Sequence, residues 1–228
     1  MEISKSPLED SLNYPGIYLP RRTEWFHRVA MQIPVKPETA NLSVVRDTLL
    51  DVVEAAGGLE FARGELSRVI ALAQGEYDSL VPPSQTSGSW SGVTGPAVYT
   101  AFFECAIWTR AVTDRFKGPL MNAVHPFDPK TWNVLEKIRS RAGYAAFKDA
   151  QRLAGVSLHR YPPPYAGSGA RVIDRKLIFP VLHKVEHADF RENLRFDTGR
   201  HAKMVVEEYW NAVCLFVNGL IDELCPRG

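Results

Sequence analysis

Beyond residue 42, apolar residues recur at spacings of three and four, and that period predicts helices. Ser43 is placed to cap a helix over 44–56, which Gly57-Gly58 would end. A second helix is expected over 59–80, with Phe61, Leu66, Val69, Ile70, Ala73 and Tyr77 inward and weakened by Gly64 and Gly75. Residues 81–96 (VPPSQTSGSWSGVTGP) read as a loop by composition. A helix over 97–117 would bury Phe102, Cys105, Trp108, Val112 and Phe116 before Gly118-Pro119 stops it. No proline interrupts 131–161, which predicts one long amphipathic helix with Leu135, Ala142, Ala146 and Leu153 on its apolar side, flanked by Trp132, Ile138 and Val156. The period then changes. Residues 170–173, Asp174-Arg175 and 176–182 spell a β-hairpin, and 190–196 predicts a further strand. Asp197 or Thr198 starts a last helix, to about Leu224, with Met204, Val205, Tyr209, Val213, Phe216, Val217, Leu220 and Leu224 on its apolar face.

These elements predict an all-α fold, an antiparallel helical bundle with a small β-hairpin inserted before the C-terminal helix. Residues 42–228 form a single helical domain with a four-helix core and the hairpin at about 170–196. Residues 1–41 are irregular, with a short element at 24–32 and prolines at 7, 15, 20, 34 and 37. Their Tyr14, Tyr18, Trp25 and Phe26 predict an arm packed on the core.

Composition narrows the function class. The 228 residues carry 45% hydrophobic and 23% charged residues, ordinary for a globular chain. A net charge of +1 supplies no global attraction for nucleic acid, so any polyanion site must be local. Cys105, Cys214 and Cys225 are too few and too far apart for a disulfide framework or zinc cluster, and the first two sit among aromatics as small core residues. The start MEISKSPLEDS has no apolar stretch of signal-peptide type, and no run is long enough to span a bilayer, so a cytoplasmic protein is expected.

One charge asymmetry stands out. Between Lys130 and Arg160 lie seven Lys/Arg (130, 137, 139, 141, 148, 152 and 160) against Glu136 and Asp149, a local net of +5. On one continuous helix, Lys130, Lys137, Arg141, Lys148, Arg152 and His159 would share an arc of roughly 60°. A fixed cation two turns from a histidine that titrates near neutrality can grip a phosphate and move a proton. A solvated polar helix face has the same pattern.

In the string RLAGVSLH, Arg152, six intervening residues and His159 resemble the Arg…His motif of the HEPN superfamily. The aromatic helix containing FFECAIWTRAV, the Arg/His helix and the C-terminal helix come in a similar order, over roughly 97–225. The resemblance implies a helical bundle, often dimeric, and a metal-independent endoribonuclease of a toxin–antitoxin or defence system. It implies catalysis by Arg152 and His159, phosphate contacts by Arg141, Lys148 and Arg160, and no cofactor or metal. The implied partners are RNA, a cognate antitoxin or other protein, and a second copy of the chain. Members without a working motif imply the alternative, a catalytically silent module that binds a protein partner. The sequence departs from the family in Leu153, where a polar residue commonly follows the Arg, and in Gly155 within the motif. Similar spacings occur at Arg21 or Arg22 to His27 and at Arg195 to His201, but only Arg152 and His159 fall on one predicted helix.

Three other groups have chemical potential. His183 and His187 in PVLHKVEH have the spacing of a helical zinc pair, without a third ligand placed by sequence. The Ser87–Gly95 loop precedes a helix as phosphate cradles do, but it holds no lysine, which favours a connector with Trp90 on the core. Glu207, Glu208, Asp222 and Glu223 read as a solvated helix face.

Overall fold

The Gly57-Gly58 pair is packed through, not stopped at. In the computed structural model a single helix, α1, runs from Leu42 to Leu80. A Cβ on Gly58 would lie 2.4 Å from the Trp108 indole, so this glycine serves a close helix crossing. Leu49, Val52, Ala56, Leu59, Ala62, Leu66, Val69, Ala73 and Tyr77 are buried along one stripe of α1. Phe61, expected inward, lies about 140° from the centre of that stripe and is 77% exposed.

The described residues are 42–120, 122, 129–159, 169–184 and 194–224. They are 76% helical, with five helices and a small amount of antiparallel sheet. The expected N-terminal arm, Arg160, His187 and Cys225 lie outside them.

The expected 81–96 loop contains a strand, β1 (Ser87–Trp90). Helix α2 follows over Gly95–Arg115 and widens into a π segment over Phe116–Leu120, so the chain winds through Gly118-Pro119 instead of stopping there. The expected long helix is two: α3 (Pro129–Arg141) and α4 (Tyr144–His159). Between them Gly143 has φ +134°, a conformation that side-chain-bearing residues avoid, and a Cβ there would meet the Ala212 Cβ at 2.7 Å. The hairpin is present as β2 (Ala170–Ile173) and β3 (Lys176–Ile178), turning at Asp174 and Arg175 with φ 48° and 63°. Two successive positive φ values match the twist of a two-residue hairpin turn. β1 pairs antiparallel with β2, giving the order β1-β2-β3. β4 (Pro180–Lys184) pairs antiparallel with β5 (Leu194–His201), with a register shift between Pro180 and Val181. β5 therefore takes the residues expected to begin the last helix, and α5 spans Ala202–Leu224. The His201 Nδ1 accepts from the Met204 N–H at 3.4 Å at the start of α5.

Helix α2 lies among α1, α4 and α5. Its Val98, Phe102, Cys105, Ala106 and Val112 are buried, as are Tyr209, Val213, Phe216, Val217 and Leu220 of α5. Phe216 meets Phe116 edge-on at 4.9 Å and Phe147 at 5.6 Å, locking α5 to the ends of α2 and α4. The hairpin is tied to α1. The Gln74 side chain donates to the Arg175 carbonyl at 2.9 Å and accepts from the Leu177 N–H at 2.9 Å.

Candidate functional site on helix α4

Arg152 and position 159 lie on one continuous helix, as the spacing predicts. Seven residues place them within about 20° of each other around α4 and about 10 Å apart along it. Ala150, Leu153 and Ala154 are buried, which turns Lys148 and Arg152 outward, and both are exposed. His159 is the last residue of the helix. The break at Gly143 corrects the wider stripe. Lys130, Lys137 and Arg141 belong to α3, whereas Lys148, Arg152 and His159 belong to α4, so one arc no longer relates the six. Arg141 is exposed at the end of α3, one turn of chain from α4.

A cation not recognised from the sequence reaches the same helix. Arg110 of α2 brings a guanidinium nitrogen to 3.9 Å from where a Gly155 side chain would begin. Gly155 lies one turn after Arg152 and one turn before His159, on the same side of α4. A side chain beginning at Gly155 would meet Arg110 only at ordinary contact distance; Arg110 pairs with Asp114 at 3.0 Å and keeps a quarter of its side chain exposed.

The acidic residue of α4 faces a different way. Asp149 accepts from the Tyr209 hydroxyl at 2.7 Å and lies 3.8 Å from Arg200. Arg200 also donates to Glu208 at 2.6 Å. Burial, then the Asp149 charge, raises the Tyr209 phenol well above its ordinary value, so it remains a proton donor to Asp149. The network neutralises Asp149 within the α4–β5–α5 contact.

The remaining candidates resolve as parts of the scaffold. The loop before α2, weighed as a phosphate cradle and expected to be a connector, already holds an anion, the Glu76 carboxylate of α1. It accepts from the Val93 and Thr94 N–H groups at 2.9 and 3.2 Å and from the Thr94 hydroxyl at 2.6 Å. These bonds hold the Glu76 pKa below its usual value, the Thr94 hydroxyl contributing most. Trp90 packs edge-on to Tyr77 at 6.2 Å, as a core-facing connector residue should. Cys105 and Cys214 are buried, and burial pushes both thiols up to about 12. Position 183 lies in strand β4, so a His183–His187 pair is not helical, and the described residues hold no group of three or more possible metal ligands. Arg195 and His201 both fall in β5. Glu207, expected on a solvated face, forms a two-pronged ion pair with Arg63 of α1 at 2.9 and 3.0 Å, and Arg63 also lies over the Trp210 ring at 5.3 Å. No helix among the described residues is long and apolar enough to cross a membrane.

No family model matches the chain, and no curated protein or solved structure matches it either.

Proposed function

We propose that this chain is a HEPN-like helical protein, an antiparallel bundle that acts on RNA as a metal-independent endoribonuclease through Arg152 and His159. The observation that supports the reading is the register of both residues on one side of α4, with Arg110 reaching the same helix at Gly155. RNA brings its own nucleophile. Neutral His159 accepts the 2′-hydroxyl proton as O2′ bonds to phosphorus. The phosphorus–O5′ bond breaks, and O5′ takes up a proton from the histidinium or solvent. The products are a 2′,3′-cyclic phosphate and a 5′-hydroxyl. Arg152 stabilises charge on the phosphorane-like transition state, best through two parallel N–H contacts, with Arg110 as a second donor. Lys148, Arg141 and Arg160 hold flanking phosphates, an attraction that weakens with salt.

The test is cleavage of a mixed RNA pool in EDTA by wild type and by Arg152→Ala and His159→Ala. The reading expects cleavage by wild type and loss in both variants at unchanged melting temperature. Equal cleavage by all three proteins, or none by wild type, overturns it. The second reading, a silent module that binds a protein partner, is favoured by the exposed Phe61 and Leu72 on α1 and predicts RNA-independent capture of a partner.

A further inference from the structure

Helix α1 presents an outer face that packing within the described residues does not explain. Phe61 is 77% and Leu72 50% exposed there. Among the described residues, no atom comes within 4 Å of a Cβ built on Gly57 or Gly64, so the surface beside Phe61 is a shallow step with room for a large side chain. Asp47, Glu54, Glu65 and Arg68 lie within about 40° of Phe61 around the helix. Arg68 donates to Glu65 at 2.8 Å, so three carboxylates and one arginine leave this arc with a net charge of −2. The exposed apolar pair therefore sits in an acidic field.

The sequence directly before α1 carries the complementary chemistry. Residues 21–36 (RRTEWFHRVAMQIPVK), which lie outside the described residues, hold Arg21, Arg22, Arg28 and Lys36 against Glu24, a net of +3, with Trp25 and Phe26 among them. Residues 1–20 hold Lys5 against Glu2, Glu9 and Asp10, a net of −2, so charge selects 21–36 from the arm. The reach is sufficient. Along α1, Phe61 is about 28 Å and Leu72 about 45 Å from Leu42, at 1.5 Å per residue. The sixteen residues from Phe26 to Leu42 extend to about 53 Å, so chain folded back along α1 meets either side chain. A tethered segment also acts at an effective concentration of roughly millimolar, which a separate molecule must exceed to take its place. We infer that the outer face of α1 is the seat of this chain's own residues 21–36, with Trp25 and Phe26 against Phe61 and Leu72 and the basic side chains over the carboxylates. The inference rests on neither functional reading. A protein partner then reaches Phe61 and Leu72 only by displacing the segment.

The experiment is limited trypsin digestion of the full-length folded chain, with cleavage after Arg28 timed by mass spectrometry. A free peptide of the same sequence gives the unprotected rate. Wild type should be cut at least about tenfold more slowly than the peptide, because a seated segment must leave the surface before the protease can bind it. The rate should be the same at roughly 1 and 100 µM protein, as an intrachain contact requires. Phe61→Glu removes the apolar anchor and should speed cleavage by about tenfold or more. Glu54→Lys sets like charges together and should speed it a few-fold. Leu215→Glu, on an exposed position of α5, should leave the rate unchanged. All three substitutions are at exposed side chains, and circular dichroism should show each variant folded. Wild type cut as fast as the free peptide overturns the inference. So does protection that disappears on dilution, which assigns the face to a second copy. Protection untouched by Phe61→Glu, or lost equally in Leu215→Glu, overturns it as well, since the segment would then be seated elsewhere.

Discussion

The break at Gly143 makes a sharp prediction, because one substitution at two glycines in neighbouring stretches should act with opposite signs. At Gly143 an alanine must adopt φ +134° and place its Cβ 2.7 Å from that of Ala212. Holding a non-glycine residue in such a region costs roughly 1–3 kcal/mol. Relieving the contact against α5 costs roughly 1–3 kcal/mol more, as overpacking does in a filled interior. Gly143→Ala should therefore destabilise by about 2–6 kcal/mol. At Gly155 the nearest atom to a new Cβ is the Arg110 guanidinium at 3.9 Å, an ordinary contact, and the backbone is helical. Gly155→Ala should stabilise by roughly 0.5–1 kcal/mol through lower chain entropy in the unfolded state and better helix propensity. Urea unfolding followed by circular dichroism reads both, as opposite midpoint shifts with unchanged slope. A helix running unbroken from 131 to 161 predicts stabilisation by both changes. A Gly143→Ala variant as stable as wild type, or more so, would refute the two-helix arrangement.

Three further outcomes follow from the scaffold. Glu76 has a pKa held down in the folded state, so its contribution is present above its ordinary value of 4.5 and lost as pH falls through the folded one. Glu76→Gln should lower the melting temperature at neutral pH, and the gap to wild type should close in acid; a gap independent of pH would contradict the clamp on α2. Cys105 and Cys214, with thiols at about 12, should resist a chromogenic disulfide reagent at mildly alkaline pH until the chain unfolds. Labelling of more than one of the three cysteines in the folded protein would contradict their burial. Arg63→Ala should cost roughly 2–3 kcal/mol by leaving Glu207 half-buried without its partner. Adding Glu207→Ala should then cost less than the sum of the single changes, whereas strict additivity would deny the pair.

The sequence made the helices and hairpin legible where local chemistry decides, and misled where neighbours distant in sequence decide. Asp174-Arg175 supplies its own turn geometry, so the hairpin was visible. The three- and four-residue apolar rhythm located α2 and most of α5. Glycine was the ambiguous letter. At position 58 it admits the Trp108 ring against a continuous helix; at 143 it ends one against Ala212; at 155 it lies within a helix with ordinary clearance to Arg110. Spacing is the same kind of signal in all three, and only the packing partner gives it meaning. Strand β1 was hidden because its four residues pair with β2, some eighty positions later. The Arg152–His159 register was legible because it rests on helix geometry alone. Arg110 was not, because its place depends on how α2 crosses α4. The Glu207 pairing with Arg63 was likewise hidden, since it links α5 to α1.

The central claim is that position 159 moves the proton in an attack by RNA's own 2′-hydroxyl, with Arg152 holding the phosphate. The end groups of the cleavage products test it most directly. Wild-type protein in EDTA should leave 2′,3′-cyclic phosphates and 5′-hydroxyls, the latter accepting label from a polynucleotide kinase without prior phosphatase treatment, and His159→Ala should leave neither. Products with 5′-phosphates, or cyclic ends that persist in His159→Ala, would contradict the assignment.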